Sequence, residues 1–193
     1  MRKINLKNKK EKDKRTKQFL VGAILIAIMF FSVLGYSFSG KDQKNTNKVV
    51  YNGFEFTKQD PYWISEKESL KFVFTYNPEE TSRIDSYLKD LNNYYGKPLY
   101  IYSDADESEL EIYRNLDPRN NPIVQRIQPA CLEEQKCEGD LPIKTCEDNF
   151  IIIKEDNMTT IVQDNNCVFI QASKEDLTKI TDEFLFKLFK IVQ

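Results

Sequence analysis

Histidine is absent from all 193 residues. Its absence removes Ser-His-Asp and Cys-His catalysis and every His-containing metal site. Glycine is scarce: there are six, none clustered, so no glycine-rich loop cradles a phosphate. The four cysteines, Cys131, Cys137, Cys146 and Cys167, are separated by five, eight and twenty residues. That spacing fits neither a thioredoxin-like motif nor the close pairs of a zinc site. One stretch lacks charge altogether: Phe19–Phe38 contains no Asp, Glu, Lys or Arg.

Those twenty residues organise the chain. As a helix they cover roughly 30 Å, the hydrocarbon thickness of a bilayer. Their polar members are only Ser32, Tyr36 and Ser37. Residues 1–18 hold nine Lys or Arg against Glu11 and Asp13, which leaves the rest of the chain with a net charge of −9. Basic residues beside a span stay cytoplasmic. The expected layout is a basic cytoplasmic tail at 1–18, a transmembrane helix at 19–38, a polar linker at 39–48 and an extracytoplasmic domain at 49–193. The partner implied by Phe19–Phe38 is the lipid bilayer. Cleavage as a signal peptide after Ser39 is the rival, but the apolar run is longer than the ~7–15 residues such peptides use. The acidic exterior argues against nucleic acid as a partner there.

The domain reads as α+β: a mostly antiparallel sheet with about three helices, preceded by the N-terminal transmembrane helix. Val49–Tyr51, Asn52-Gly53 and Phe54–Phe56 suggest a first strand with a turn or bulge. Leu70–Tyr76 alternates cleanly, with Phe72 and Phe74 on one face. Residues 79–91 place Ile84, Leu88 and Leu91 on one helical stripe. A short strand at 99–103 leads into a helix running to about Leu116, with Asp104 and Glu107 spaced as a capping box. A further strand is expected at 123–127. Strands at 150–155, 159–163 and 167–172, joined by short polar turns, suggest an antiparallel meander. Ser173 and Asp176 are a capping pair opening a last helix rich in Leu, Ile and Phe. That helix packs on the meander; the alternative is that Phe186 and Phe189 dock a protein partner.

Four exterior cysteines allow three pairings. In a meander the starts of the first and third strands share one sheet end. Cys146 precedes the first by four residues and Cys167 begins the third. Two strand steps make roughly 10 Å, which a four-residue leader can close. This selects Cys146–Cys167 and leaves Cys131–Cys137 for the short loop.

Little else points to chemistry. Paired carboxylates could do acid–base work, with Asp104, Asp106, Glu107, Glu133, Glu134 and Asp140 as candidates, but acids are numerous and solvated surface is the default. Asp104–Asn115 misses the calcium loop at its sixth and twelfth positions. No cofactor, metal ligand or catalytic residue is assigned. Tyr94, Tyr95, Tyr100 and Tyr102 could form a sticky patch, although packing is the commoner use. Asn157-Met158-Thr159 fits the N-glycosylation pattern on a turn.

The Tyr51-Asn52-Gly53-Phe54 segment with Trp63, Phe72–Pro78, Leu141-Pro142-Ile143 with Cys146, and Asn166–Ile170 with the last helix carry a resemblance. The chain resembles a loose group of uncharacterised archaeal single-pass membrane-anchored exterior proteins over most of residues 49–193. The resemblance implies placement and disulfides but no activity. The function expected is a membrane-anchored interaction or structural protein, such as a subunit of a cell-envelope assembly, and more readily a non-enzyme than an enzyme. The alternative is an extracytoplasmic carboxylate-dependent hydrolase or a ligand-binding accessory protein.

Overall fold

Asn52 and Gly53 set the first turn of the fold. Both adopt positive φ, +47° and +80°, the two-residue turn whose twist suits a hairpin. Strands β1 (Lys48–Tyr51) and β2 (Phe54–Gln59) pair across it. The structure is a computed structural model describing residues 17–31, 47–133, 137 and 139–192. Two units divide the chain, Met1–Asn45 and Thr46–Gln193.

In the first unit the described residues form helix α1 over 17–31. Its apolar side chains, including Phe19, Ile26 and Phe30, are exposed. At 1.5 Å per residue it rises about 22 Å. Among the described residues no helix is long and apolar enough to cross a membrane. Of the span expected over Phe19–Phe38, residues 19–31 are helical; residues 32–38, the tail 1–16 and the linker at 39–46 lie outside the described residues.

In the second unit, β3 (Tyr62–Lys67) and β4 (Leu70–Phe74) complete an antiparallel sheet in the order β1-β2-β3-β4. Alternation buries Phe54, Phe56, Trp63, Phe72 and Phe74 on one face. The helix expected at 79–91 is absent: residues 82–90 carry no regular structure, and only Leu91–Asn93 form a single 3-10 turn. Ile84, Ser86 and Leu88 are half-buried while Arg83, Asp85 and Tyr87 are exposed. This is the period of an extended chain. A spacing of four residues satisfies both periods, which is why Ile84 and Leu88 misled.

A second sheet has the order β10-β11-β9-β5-β6. It comprises β5 (Pro98–Ser103), β6 (Arg126–Pro129), β9 (Phe150–Glu155), β10 (Thr160–Asp164) and β11 (Cys167–Ala172). Helix α2 (Asp106–Leu116) connects the parallel neighbours β5 and β6. Its N-cap is Ala105 with no side-chain cap, so the expected Asp104–Glu107 box does not form. Instead the Ser103 hydroxyl bonds both the N–H and the C=O of Ala105. The class is α+β as expected, but the second sheet is mixed. β9 lies beside β11 in parallel, and only β10 and β11 are antiparallel. The meander is therefore corrected: the 156–159 connection carries the chain past the end of β11 to the sheet edge, and β11 returns between β10 and β9. Burial explains it. Phe150–Ile153 is buried on both faces, whereas β10 exposes Val162 and Asp164, as an edge strand does.

Helix α3 (Leu177–Leu188) begins four residues after Ser173. The Ser173 hydroxyl bonds the Asp176 carboxylate rather than capping the helix. Together α2 and α3 cover one face of the second sheet. The opposite side of α3 meets the first sheet: Phe186 lies 4.6 Å from Phe74 and Phe189 lies 4.3 Å from Phe72, ring centre to ring centre. Phe186 and Phe189 thus fill this core, as expected of a packed last helix, and the alternative that they dock a partner is corrected.

Two disulfides join Cys131 to Cys137 and Cys146 to Cys167. The second closes without a two-strand gap, because β9 and β11 are adjacent and Cys167 stands opposite Phe150. Residues around Ala130, Leu132 and Cys146, with the short parallel ribbon β7 (Cys131–Leu132) and β8 (Ile143–Lys144), cover part of the outer face of the second sheet. Chain entropy favours the longer loop: replacing Cys146 and Cys167 by alanine should cost about 3 kcal/mol, against about 2 kcal/mol for Cys131 and Cys137. Urea unfolding of the two double variants gives the ranking, and the reverse order would contradict it.

Candidate functional site

The acids singled out in the sequence do not converge. Asp104, Asp106, Glu107, Glu133 and Asp140 are exposed, and Glu134 lies outside the described residues. Among the described residues no cluster of three or more acids or cysteines could hold a metal.

The acids that do converge are others, and they line one edge of the first sheet. On β4, alternate residues point their N–H and C=O away from β3, and α2 and the turn that follows it answer each. The Asn121 side chain accepts from Lys71 N–H (3.0 Å) and donates to Lys71 C=O (2.9 Å). Asn115 does the same for Val73, at 2.9 and 2.7 Å. Each amide spends its second hydrogen on the helix side, on Asn115 C=O and Glu111 C=O respectively. Further along, the Thr75 hydroxyl donates to Glu111 and Tyr76 N–H donates to Asp182 at 2.8 Å. Beyond that, Thr81 and Arg83 both donate to Glu183 at 2.8 Å. All five side chains, Glu111, Asn115, Asn121, Asp182 and Glu183, are fully buried. They replace the missing neighbour strand with side chains.

The buried carboxyls of Glu111 and Asp182 are close enough for each to perturb the other's protonation. Their remaining oxygens, Oε2 and Oδ1, meet no ordinary donor, as expected when two acceptors face each other. Burial pushes both pKa values up. Thr75 and Arg114 favour the ionised form of Glu111, while the Glu111 charge pushes Asp182 up further. Burial and mutual repulsion thus favour a shared proton over two charges, with the stronger upward push on Asp182. The chemistry suits a proton-sharing clasp. It does not suit hydrolysis, because no solvent reaches either carboxyl.

Sequence reasoning missed these residues, although one signal was present. Ile180, Leu185 and Phe186 flank Asp182 and Glu183 along α3, although Lys179 and Lys187 share the Glu183 side.

The solvent-facing candidate is the outer face of the second sheet. Register places Val162, Phe169, Ile152 and Tyr102 in one row across β10, β11, β9 and β5. Val162 is half exposed, Phe169 and Tyr102 are partly so, and Ile152 is buried. The next row holds Thr160, Gln171 and Lys154, with the Lys154 ammonium 5.6 Å from the Tyr102 ring centre. The row on the other side, Tyr100, Phe150 and Cys167, lies beneath the disulfide-bonded cover. There the Lys144 ammonium lies 4.2 Å from the Tyr100 ring centre, and Lys144 with Arg126 holds the Tyr100 pKa down. The expected tyrosine patch is divided: Tyr94 is buried in the main core, Tyr95 is exposed, and only Tyr100 and Tyr102 share this face. A separate polar groove beside the Cys146–Cys167 bridge is lined by Lys89, Thr145, Glu147, Asn165 and Asn166. Its lysine already bonds the Asn166 side chain.

These features define an α+β domain with a sealed polar seam and one partly apolar outer face. No protein-family model, curated protein or solved structure matches the chain.

Proposed function

We propose that the protein is a membrane-anchored, extracytoplasmic interaction or structural protein that presents the outer face of its second sheet to a protein partner. The exposed Val162 with the partly exposed Phe169 and Tyr102, set around the buried Ile152, carries this reading. A hydrolase would need converging carboxylates open to substrate, and the converging ones here are sealed. The uncharged run Phe19–Phe38, the basic residues before it and the exposed apolar surface of α1 support the anchor, with the N-terminus cytoplasmic. Two disulfides support an oxidising exterior. The likeness to archaeal membrane-anchored exterior proteins belongs with the same reading.

Photo-crosslinking in native membranes tests it. A crosslinker at Val162 should give discrete adducts, and one at Glu55, on an exposed part of the first sheet, should give none. Val162→Glu should abolish adducts from a crosslinker placed at Phe169 while shifting stability by no more than about 0.5 kcal/mol. Equal labelling from both sheets would refute the face. Recovery of the full chain in the aqueous fraction without detergent would refute the anchor.

A further inference from the structure

We propose that Asn157 is an N-glycosylation site. Of the fifteen asparagines only Asn157 begins an Asn-x-Ser/Thr triplet, and the structure presents that triplet as a transferase would need it. It forms the connection from β9 to the edge strand β10 and stands outside every ladder of the sheet. Asn157, Met158 and Thr159 are all exposed. Asp156 shapes the turn by accepting Met158 N–H at 2.9 Å. Among the described residues neither the Asn157 amide nor the Thr159 hydroxyl is engaged in a hydrogen bond, so both functional groups of the acceptor are available. Asn165-Asn166-Cys167 differs: its third residue is buried and locked in a disulfide.

The donor class is a glycan on a polyprenyl phosphate carrier. The Asn157 Nδ2 forms a bond to the anomeric carbon, and that carbon's bond to phosphate oxygen breaks. The amide proton leaves to base, the lipid phosphate leaves with the electron pair, and nothing is oxidised or reduced. Attachment costs no packing, since the triplet buries no side chain. It lies at the strand ends farthest from the Cys146–Cys167 bridge. A sugar there would cover exposed Met158 and border the apolar row.

The proposal rests on the extracytoplasmic placement of the domain. It is tested on full-length protein from its native membranes by intact mass, peptide mapping and thiol alkylation of one sample. The expected result is a carbohydrate mass increment on the peptide containing Asn157. That increment should be lost in Asn157→Gln and Thr159→Ala and retained in Thr159→Ser. An unmodified Asn157 with all four cysteines paired would overturn the glycan and leave the placement standing. An unmodified Asn157 with four alkylatable thiols would overturn both, and an increment mapped to another residue would overturn the assignment.

Discussion

Replacing Asp182 by asparagine is expected to flatten the pH dependence of stability and to make the protein more stable at neutral pH. The Asp182 carboxyl has its pKa raised, first by burial and then by the Glu111 charge. In the unfolded chain it releases its proton near pH 3.9, whereas in the fold it keeps it to higher pH. Its stabilising contribution is therefore complete below about pH 4 and is lost as pH rises toward the folded pKa, at about 1.4 kcal/mol per pH unit. Asparagine keeps an oxygen to accept Tyr76 N–H and supplies a permanent N–H toward Glu111, so nothing remains to titrate at that position. Asp182→Ala removes the acceptor as well and should cost about 3 kcal/mol at any pH. Urea midpoints of parent and both variants, measured from about pH 4 to about pH 8, decide the matter. Parallel curves for parent and Asp182→Asn would show that the pair shares no proton.

A comparable loss is expected at Asn115, where no charge is involved. Asn115→Leu keeps the volume but strands the Val73 N–H and C=O beneath α2. Each buried unpaired group costs about 1–3 kcal/mol, so the sum is about 3 kcal/mol. For a domain of this size that corresponds to a Tm about 6–12 °C lower. Asn115→Asp should fare no better, because its second oxygen would face the Val73 carbonyl in place of a donor. Thermal unfolding gives the answer. An unchanged Tm for Asn115→Leu would mean that the β4 edge does not depend on side-chain amides.

The two predictions also mark where the sequence stopped being readable. Hairpins with local turn chemistry were legible: Asn52-Gly53 and the alternation of β4 specify themselves within a few residues. So were the extents of β9, β10 and β11, but not their order. A four-residue connection ordinarily joins neighbours, and the clue against that lay in composition, since Phe150–Ile153 is apolar throughout while Thr160–Asp164 is not. The parallel pairing of β5 with β6 was implicit in a strand, a helix and another strand in succession. Ile84 and Leu88 were ambiguous because their spacing fits two periods. The polar seam was the least legible. Asn115 and Asn121 look like surface residues until β4 is set beside them, and the partner edge is more than forty residues away in sequence. The outer face was partly visible as alternation, but which half of it is covered depends on where the disulfides draw residues 130–148.

Helix α3 lies between two sheets, and it follows in chain order every strand it touches. Until it arrives, only α2 covers the apolar faces of the two sheets. A chain shortened before Leu177 would hold all eleven strands and still lack the wedge against which both sheets close. Closure of the core is therefore expected to wait for a late segment, and unfinished copies would carry exposed greasy surfaces of the kind that chaperones and proteases seize.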